Sequence, residues 1–293
     1  MKLIHLKHHD IDKLAWDATV GEALVRLPYA FSWFLDAVSP QWEALVTPDY
    51  AYVMPLPVKR KFGIPYVIQP RWTQQLGLFS RDFITPEIVE QFIRRIPYVS
   101  YDFNLNFGNV RHTQLLPNRI IDLSADYKSI NKQFSKNTKR NIAKALKANL
   151  NIQLIDYKLL ADFWMSQNSD MPIELFEKLP TLCAAAQEHH VGYFYGVFTS
   201  NQELVATLMT LETESRIIYL VPTSNQLGKD TSAMFLLVDE LLKKNAGSSK
   251  VFDCEGSRIP GVSKFYEGFG ATLQPYFTIN RCRPQWLVKL LNR

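Results

Sequence analysis

Residues 216–244 read RIIYLVPTSNQLGKDTSAMFLLVDELLKK, and the fold turns on them. Arg216–Val221 is rich in β-branched and apolar residues, as a strand is. Gln226-Leu227-Gly228-Lys229-Asp230-Thr231 is a polar turn. From Ser232 to Lys244 apolar residues return at helical spacing. This order puts a helix N-terminus, with free N–H groups and a partial positive charge, at the end of a strand. Gly228 permits a close backbone approach there. As an ordinary β-α turn, the same stretch would use Asp230 or Thr231 as its N-cap.

Working outward, Tyr193–Phe198 and Leu204–Leu211 read as strands joined by the polar turn Thr199–Glu203. Lys250–Glu255 reads as a further strand and Pro260–Gly268 as a short helix. The first half has the same rhythm. Ala30–Val38 reads as a helix, and Trp42–Val46, Tyr50–Val58 and Tyr66–Gln69 as strands. Pro86–Ile96 reads as a helix capped by Thr85 with proline in its first turn, and Val99–Leu105 as a strand. Gln75-Leu76-Gly77 precedes the first of these β-α-β units as Gln226-Leu227-Gly228 precedes the second. Gly77 and Gly228 are 151 residues apart, and so are Asp102 and Asp253. Two anchors at one offset point to an internal duplication. The expected division is 1–125 and 126–293.

The net charge of +5 is not spread evenly. Residues 1–126 sum to zero, 127–155 to +7 with no acidic residue, and 156–293 to −2. A general basic coat for DNA is excluded, and one local cationic feature remains. Ile130, Phe134, Ile142, Leu146 and Leu150 fall at multiples of four, which predicts one amphipathic helix over Lys128–Lys147, capped by Ser124 or Asp126. No apolar run approaches the ~20 residues of a membrane span. His5, Lys7, His8 and His9 interrupt the start of the chain, unlike a signal peptide. Cys183, Cys254 and Cys282 are sparse and odd in number, as in a reduced, cytoplasmic protein. No cysteine or histidine spacing suits a metal.

These features together resemble the GNAT acyltransferase superfamily, and along nearly the whole chain its duplicated FemAB-like branch. The strand at Arg216–Val221, the loop at Gln226–Thr231 and the helix from Ser232 are similar to the strand, pyrophosphate loop and helix of that fold. Phe252-Asp253-Cys254-Glu255-Gly256-Ser257, Pro260-Gly261 and Phe265-Tyr266-Glu267-Gly268-Phe269-Gly270-Ala271 resemble its later strand and final helix. Lys136–Ala145 is similar to a basic stretch of FemAB-like proteins. The resemblance implies an α/β fold with mixed α+β sheets: tandem GNAT-like domains, each a central, mostly antiparallel sheet flanked by helices. The loop departs from the GNAT pattern, since aligning Gly228 puts Asn225 and Asp230 at the outer positions.

The resemblance implies an N-acyltransferase that moves an acyl group from acyl-CoA, a co-substrate rather than a resident cofactor, to an amine at an inter-domain cleft. Val221, Gln226, Gly228, Lys229, Thr231 and Ser232 would hold the donor. Tyr266 would be the acid for the leaving thiolate. Asp253 and Glu255, two apart on a strand, share a face and can raise each other's pKa to make a base. Phe252 and Cys254 would face the core. Arg71, Trp72, Gln74 and Gln75, with Ser257 and Arg258, are expected to bind substrate. Two alternatives stand beside this. One is aminoacyl transfer from a charged tRNA to a peptide or cell-wall precursor, the basic helix touching phosphates. The other is a degenerate GNAT-fold protein that binds without catalysis.

Overall fold

The structure is a computed structural model that describes residues 1–111, 114–256 and 259–282. The chain forms two compact units. Unit 1 takes residues 1–116 and the chain end from 275, and unit 2 takes 117–274. This differs from a cut at 125/126, because short strands pair far from their neighbours in sequence.

Unit 1 contains β1 (Ile4–Leu6), α1 (Lys13–Glu22), α2 (Ser32–Val38), β2 (Glu43–Val46), β3 (Tyr52–Leu56), β4 (Val58–Lys61), β5 (Ile64–Ile68), β6 (Phe79–Ser80), α3 (Pro86–Arg94), β7 (Ser100–Asn104) and β8 (Leu115–Leu116). Asp12 caps α1, its carboxylate accepting the amides of Leu14 and Ala15. Thr85 caps α3 as its sequence predicts. β1, β2, β3 and β6 form one antiparallel sheet. Pro57, which has no N–H to give a ladder, separates β3 from β4. From there a second sheet runs β4-β5-β7, with β5 and β7 parallel.

Unit 2 contains β9 (Arg119–Asp122), α4 (Tyr127–Lys132), α5 (Lys136–Lys147), β10 (Asn151–Leu154), α6 (Tyr157–Gln167), α7 (Ile173–Glu188), β11 (Gly192–Phe198), β12 (Leu204–Glu212), β13 (Arg216–Ser224), α8 (Gln226–Asp230), α9 (Ala233–Asn245), β14 (Val251–Asp253), α10 (Pro260–Gly268) and β15 (Thr272–Leu273). They build a seven-stranded sheet of order β10-β11-β12-β13-β14-β9-β15. Only β13 and β14 pair in parallel. α9 buries Ala233, Leu237, Val238, Leu241 and Leu242 in a core with Ile217 and Phe252 from the sheet. Each such leucine contributes roughly 1.5–3 kcal/mol.

The chain then leaves unit 2. β16 (Tyr276–Cys282) returns to unit 1, where it lies between β7 and β8, antiparallel to both. β9, which follows β8 directly, has gone the other way and pairs with β14 and β15. The two sheets therefore end alike, in β5-β7-β16-β8 and in β13-β14-β9-β15. Each takes its inserted strand from the stretch that follows the other unit's last short strand.

The basic segment is two helices, not one. α4 ends at Lys132, and Ser135 starts α5 by accepting the Thr138 amide at 3.1 Å while its own N–H donates to Gly268 O at 2.8 Å. Asp126, not Ser124, caps α4. The turn at 133–135 breaks the phase of the apolar stripe. Ile130, Phe134 and Ile142 stay in the core, but Leu146 is 58% exposed. Among the described residues no helix is long and apolar enough to cross a membrane.

Candidate functional site

The site of unit 2 begins where its two parallel strands part. The last β13–β14 pair is Ile218 with Asp253. Beyond it β13 stays with β12 as far as Ser224, while the chain after β14 stays with β9, Cys254 N–H donating to Arg119 O at 2.9 Å. A crevice outside the carboxyl ends of parallel strands is where open α/β sheets take ligands. Here it is a cavity of about 330 Å³. Tyr219, Met234, Phe235, Val262, Phe265 and Tyr266 make its apolar wall, and Ser224, Lys229 and Ser232 its polar edge.

Val221 shapes the opening. On β12 Leu208 alone stands between the pairs Thr207–Thr223 and Met209–Leu220, whereas β13 has both Val221 and Pro222 there: a β-bulge. Val221 has φ 53°, an outlier for a β-branched residue, and precedes a proline, which disfavours it further. It is buried beside the cavity rather than lining it, while Pro222 and Ser224 do line it.

The stretch Gln226–Thr231 is not an open phosphate loop. Gln226–Asp230 is a short helix, and Asn225 Oδ1 accepts the Gly228 N–H at 2.8 Å. Thr231 Oγ1 donates to Leu227 O at 2.7 Å, and Gln226 Nε2 donates to Asp230 Oδ1 at 2.9 Å. A Cβ on Gly228 would drive into the Val205 carbonyl oxygen. The glycine is there for helix-on-strand packing, and its amide is already used. The free helix end lies one step later. Ser232, at φ 63°, precedes α9 without capping it, and its hydroxyl donates to Asn141 Oδ1 of α5 at 3.0 Å. Phe235 N–H donates to Ser232 O at 3.0 Å, and no side-chain oxygen caps the first turn of α9 at the cavity edge. The same bond sets cationic α5 beside that edge.

Tyr266 is 7% exposed and lines the cavity, edge-on to Tyr219 with ring centroids 5.9 Å apart. Burial, then the proximity of Cys254, Glu255 and Asp253, holds its hydroxyl well above the usual tyrosine range. Asp253 is not a free base. Its carboxylate is completely buried, bonded to Arg216 Nη1 at 2.5 Å, and its other oxygen accepts the Glu255 N–H at 3.0 Å. β14 ends at Asp253, so Glu255 does not continue the strand face. It has turned to φ 54° and is half-buried. Phe252 and Cys254 do face the core, and burial raises the Cys254 thiol well above its ordinary range. Ser257 and Arg258 lie outside the described residues.

Arg71, Trp72, Gln74 and Gln75 belong to unit 1, and none of them lines this cavity. Gln75 is fully buried, bonding Gln74 Oε1 at 2.7 Å and the Phe107 amide at 2.9 Å. Gln74 O accepts from Asn104 Nδ2 at 2.8 Å. These bonds fasten residues 69–76 along β7, and the amides of Gln69 and Leu76 donate to the carbonyls of Asp102 and Asn104. In unit 1 the parallel strands therefore do not part. Arg71 is exposed, and Trp72 holds φ 56° at the turn. Local pattern does not single out Arg119, Asn141, Tyr219 or Phe235: the last three lie inside the quoted stretches, and nothing nearby marks Arg119.

By sequence, no family profile and no curated protein matches the chain. By structure it matches FemX over 100% of both chains, with a TM-score of 0.68 and 11% identity. The chain shares the fold of FemX. Other structural matches include a domain attributed to the C-terminal part of a putative lysylphosphatidylglycerol synthetase from Agrobacterium fabrum, with TM-score 0.60, 9% identity and 96% of each chain covered. L-PGS from Bacillus licheniformis has TM-score 0.53 and 10% identity, with 85% of this chain and 87% of that chain covered.

Proposed function

We propose that unit 2 binds an activated acyl donor in the cleft between β13 and β14 and transfers the acyl group to an amine. The parting of these strands over an aromatic cavity, next to an uncapped helix end, carries this reading. A neutral arm such as pantetheine fits the apolar wall, with the unpaired edge of β13 available to its amides. An anionic group at the mouth would meet the N-terminus of α9 and Lys229. The amine attacks the acyl carbon, and its proton passes to Glu255. The bond to the leaving group breaks, and Tyr266 gives that group a proton.

The leading donor is an acyl thioester. The raised Tyr266 favours a second reading. A tyrosine above its usual ~10 is a poorer acid than a thiol at ~8.5, so a proton moves more readily to an ester alkoxide than to a thiolate. An aminoacyl oxygen ester, as on charged tRNA, fits that ordering. The similar endings of the two sheets, with the 151-residue offset, support an internal duplication in which only the second copy kept an open cleft.

The test is binding followed by turnover. Acetyl-CoA, longer acyl-CoAs and charged tRNA are titrated in a thermal-shift assay, and acylated amine is then sought by mass spectrometry. A shift with any donor and an acylated product are expected. No shift at millimolar acyl-CoA and none with charged tRNA would refute the proposal and leave a binding-only protein.

A further inference from the structure

We propose that Arg119 is the positioning residue of this site and sets the geometry between Tyr266 and Glu255. The inference rests on the reading of Tyr266 as proton donor. Arg119 opens β9 and holds two separate pieces at once. Its carbonyl oxygen accepts the Cys254 N–H at 2.9 Å, fixing the stretch that carries Glu255. That stretch is fixed twice more, by the Asp253 carboxylate on the Glu255 amide and by Gly256, which lies so close to the Pro117 carbonyl that no Cβ fits between them.

The side chain reaches the other piece. The Arg119 guanidinium pairs with the Glu267 carboxylate, and its Nε donates to Ser263 Oγ at 3.3 Å. Ser263 in turn donates to Glu267 Oε1 at 3.1 Å. Ser263 and Glu267 stand one helical turn apart on α10, and Glu267 is the residue after Tyr266. No side chain caps α10. The forked guanidinium therefore sets how the helix lies against β9 and how far the Tyr266 hydroxyl reaches into the cavity. Stability alone gives little reason for the triad, because Glu267 is nearly half exposed and such pairs are worth little. A role in geometry explains why one arginine holds both candidate acid and candidate base.

The test compares Arg119→Ala, Arg119→Lys, Tyr266→Phe and the double variant R119A/Y266F. Turnover is followed with acetyl-CoA and with a 3′-aminoacyl nucleoside ester, using hydroxylamine as acceptor. Arg119→Ala should lower kcat by about ten- to a hundredfold with donor KM unchanged. Arg119→Lys, which keeps the charge and loses the fork, should fall between it and wild type. The double variant should be no slower than Y266F alone. Losses that multiply in the double variant, a change in KM alone, or a kcat that tracks a fall in Tm across the variants would overturn the assignment. Full activity of Tyr266→Phe, or no turnover by wild type, would sink the underlying reading and the assignment with it. A slow Y266F beside a fully active R119A would sink the assignment alone.

Discussion

The Arg216 guanidinium and the Asp253 carboxylate meet 2.5 Å apart across β13 and β14, with the two residues only 6% and 0% exposed. Asp253 stands at the last rung before the parallel strands part, and Arg216 two rungs back at the first. Arg216 Nη2 also donates to Gln274 Oε1 at 3.1 Å. A buried charge that loses its partner is expensive, so Asp253→Ala should destabilise the protein by about 3–5 kcal/mol, measured by urea unfolding. Asp253→Ala with near-wild-type stability would show that the pair does not hold the strands at the fork.

Gly228 makes a separate prediction. Gly228→Ala forces a methyl against the Val205 carbonyl and should cost about 1–3 kcal/mol in urea unfolding. Gly261 has open space around its Cβ position and lines the cavity. Gly261→Phe should leave the unfolding midpoint nearly unchanged and abolish the thermal shift given by the donor. A donor shift that survives in Gly261→Phe would place the ligand elsewhere.

Asp239 gives a pH dependence. Burial, then the Glu240 charge, raises its pKa above the usual 3.8, and the bond from the Tyr127 hydroxyl only partly opposes this. The folded state thus binds the proton more tightly than the unfolded chain does. The contribution to stability is complete below pH ~3.8 and is lost as pH rises through the folded pKa. Asp239→Asn keeps an acceptor for Tyr127 and removes the charge. Its Tm should exceed that of wild type at pH 7.5, and the gain should shrink toward pH 4. A gain independent of pH would contradict the linkage.

The link between α5 and the cavity is tested through Asn141. Asn141→Leu removes the acceptor of the Ser232 hydroxyl, which is then free to cap α9. Affinity for an anionic donor should fall severalfold while that for a neutral acyl-pantetheine fragment holds, both measured by calorimetry. Equal losses would mean that the bond shapes the whole cleft instead of its charged end.

Much of the fold was legible because its periodic segments are long. Thr85 and α3, the hairpin β11–β12, β13 and α9, and α10 from Pro260 to Gly268 all follow from local pattern and capping. What local pattern cannot carry is pairing. β8 and β15 have two residues each and β9 four, too few for any period, so the unit boundary was invisible. The site was legible as a place more than as chemistry. Gly228 is required by the Val205 carbonyl, and it also lines the cavity. Asp253 and Glu255 looked like one carboxylate pair because a strand was extended through both. The left-handed turn at Glu255 separates them, and that turn depends on Asp253 itself and on strand β9, more than 130 residues upstream. Gln74 and Gln75 looked ready for a ligand because burial cannot be read from an amide.

The exchange of final strands has a consequence for how the protein is made. β7 pairs with β16, and Thr278 Oγ1 donates to Phe103 O across 175 residues of sequence. At ~5–20 residues per second, β7 emerges from the ribosome many seconds before its partner exists. Throughout that time its open edge is a template for pairing with other chains. Ribosome-bound chains halted short of Tyr276 should therefore be the aggregation-prone form, and emergence of Tyr276–Cys282 should be the step that closes unit 1.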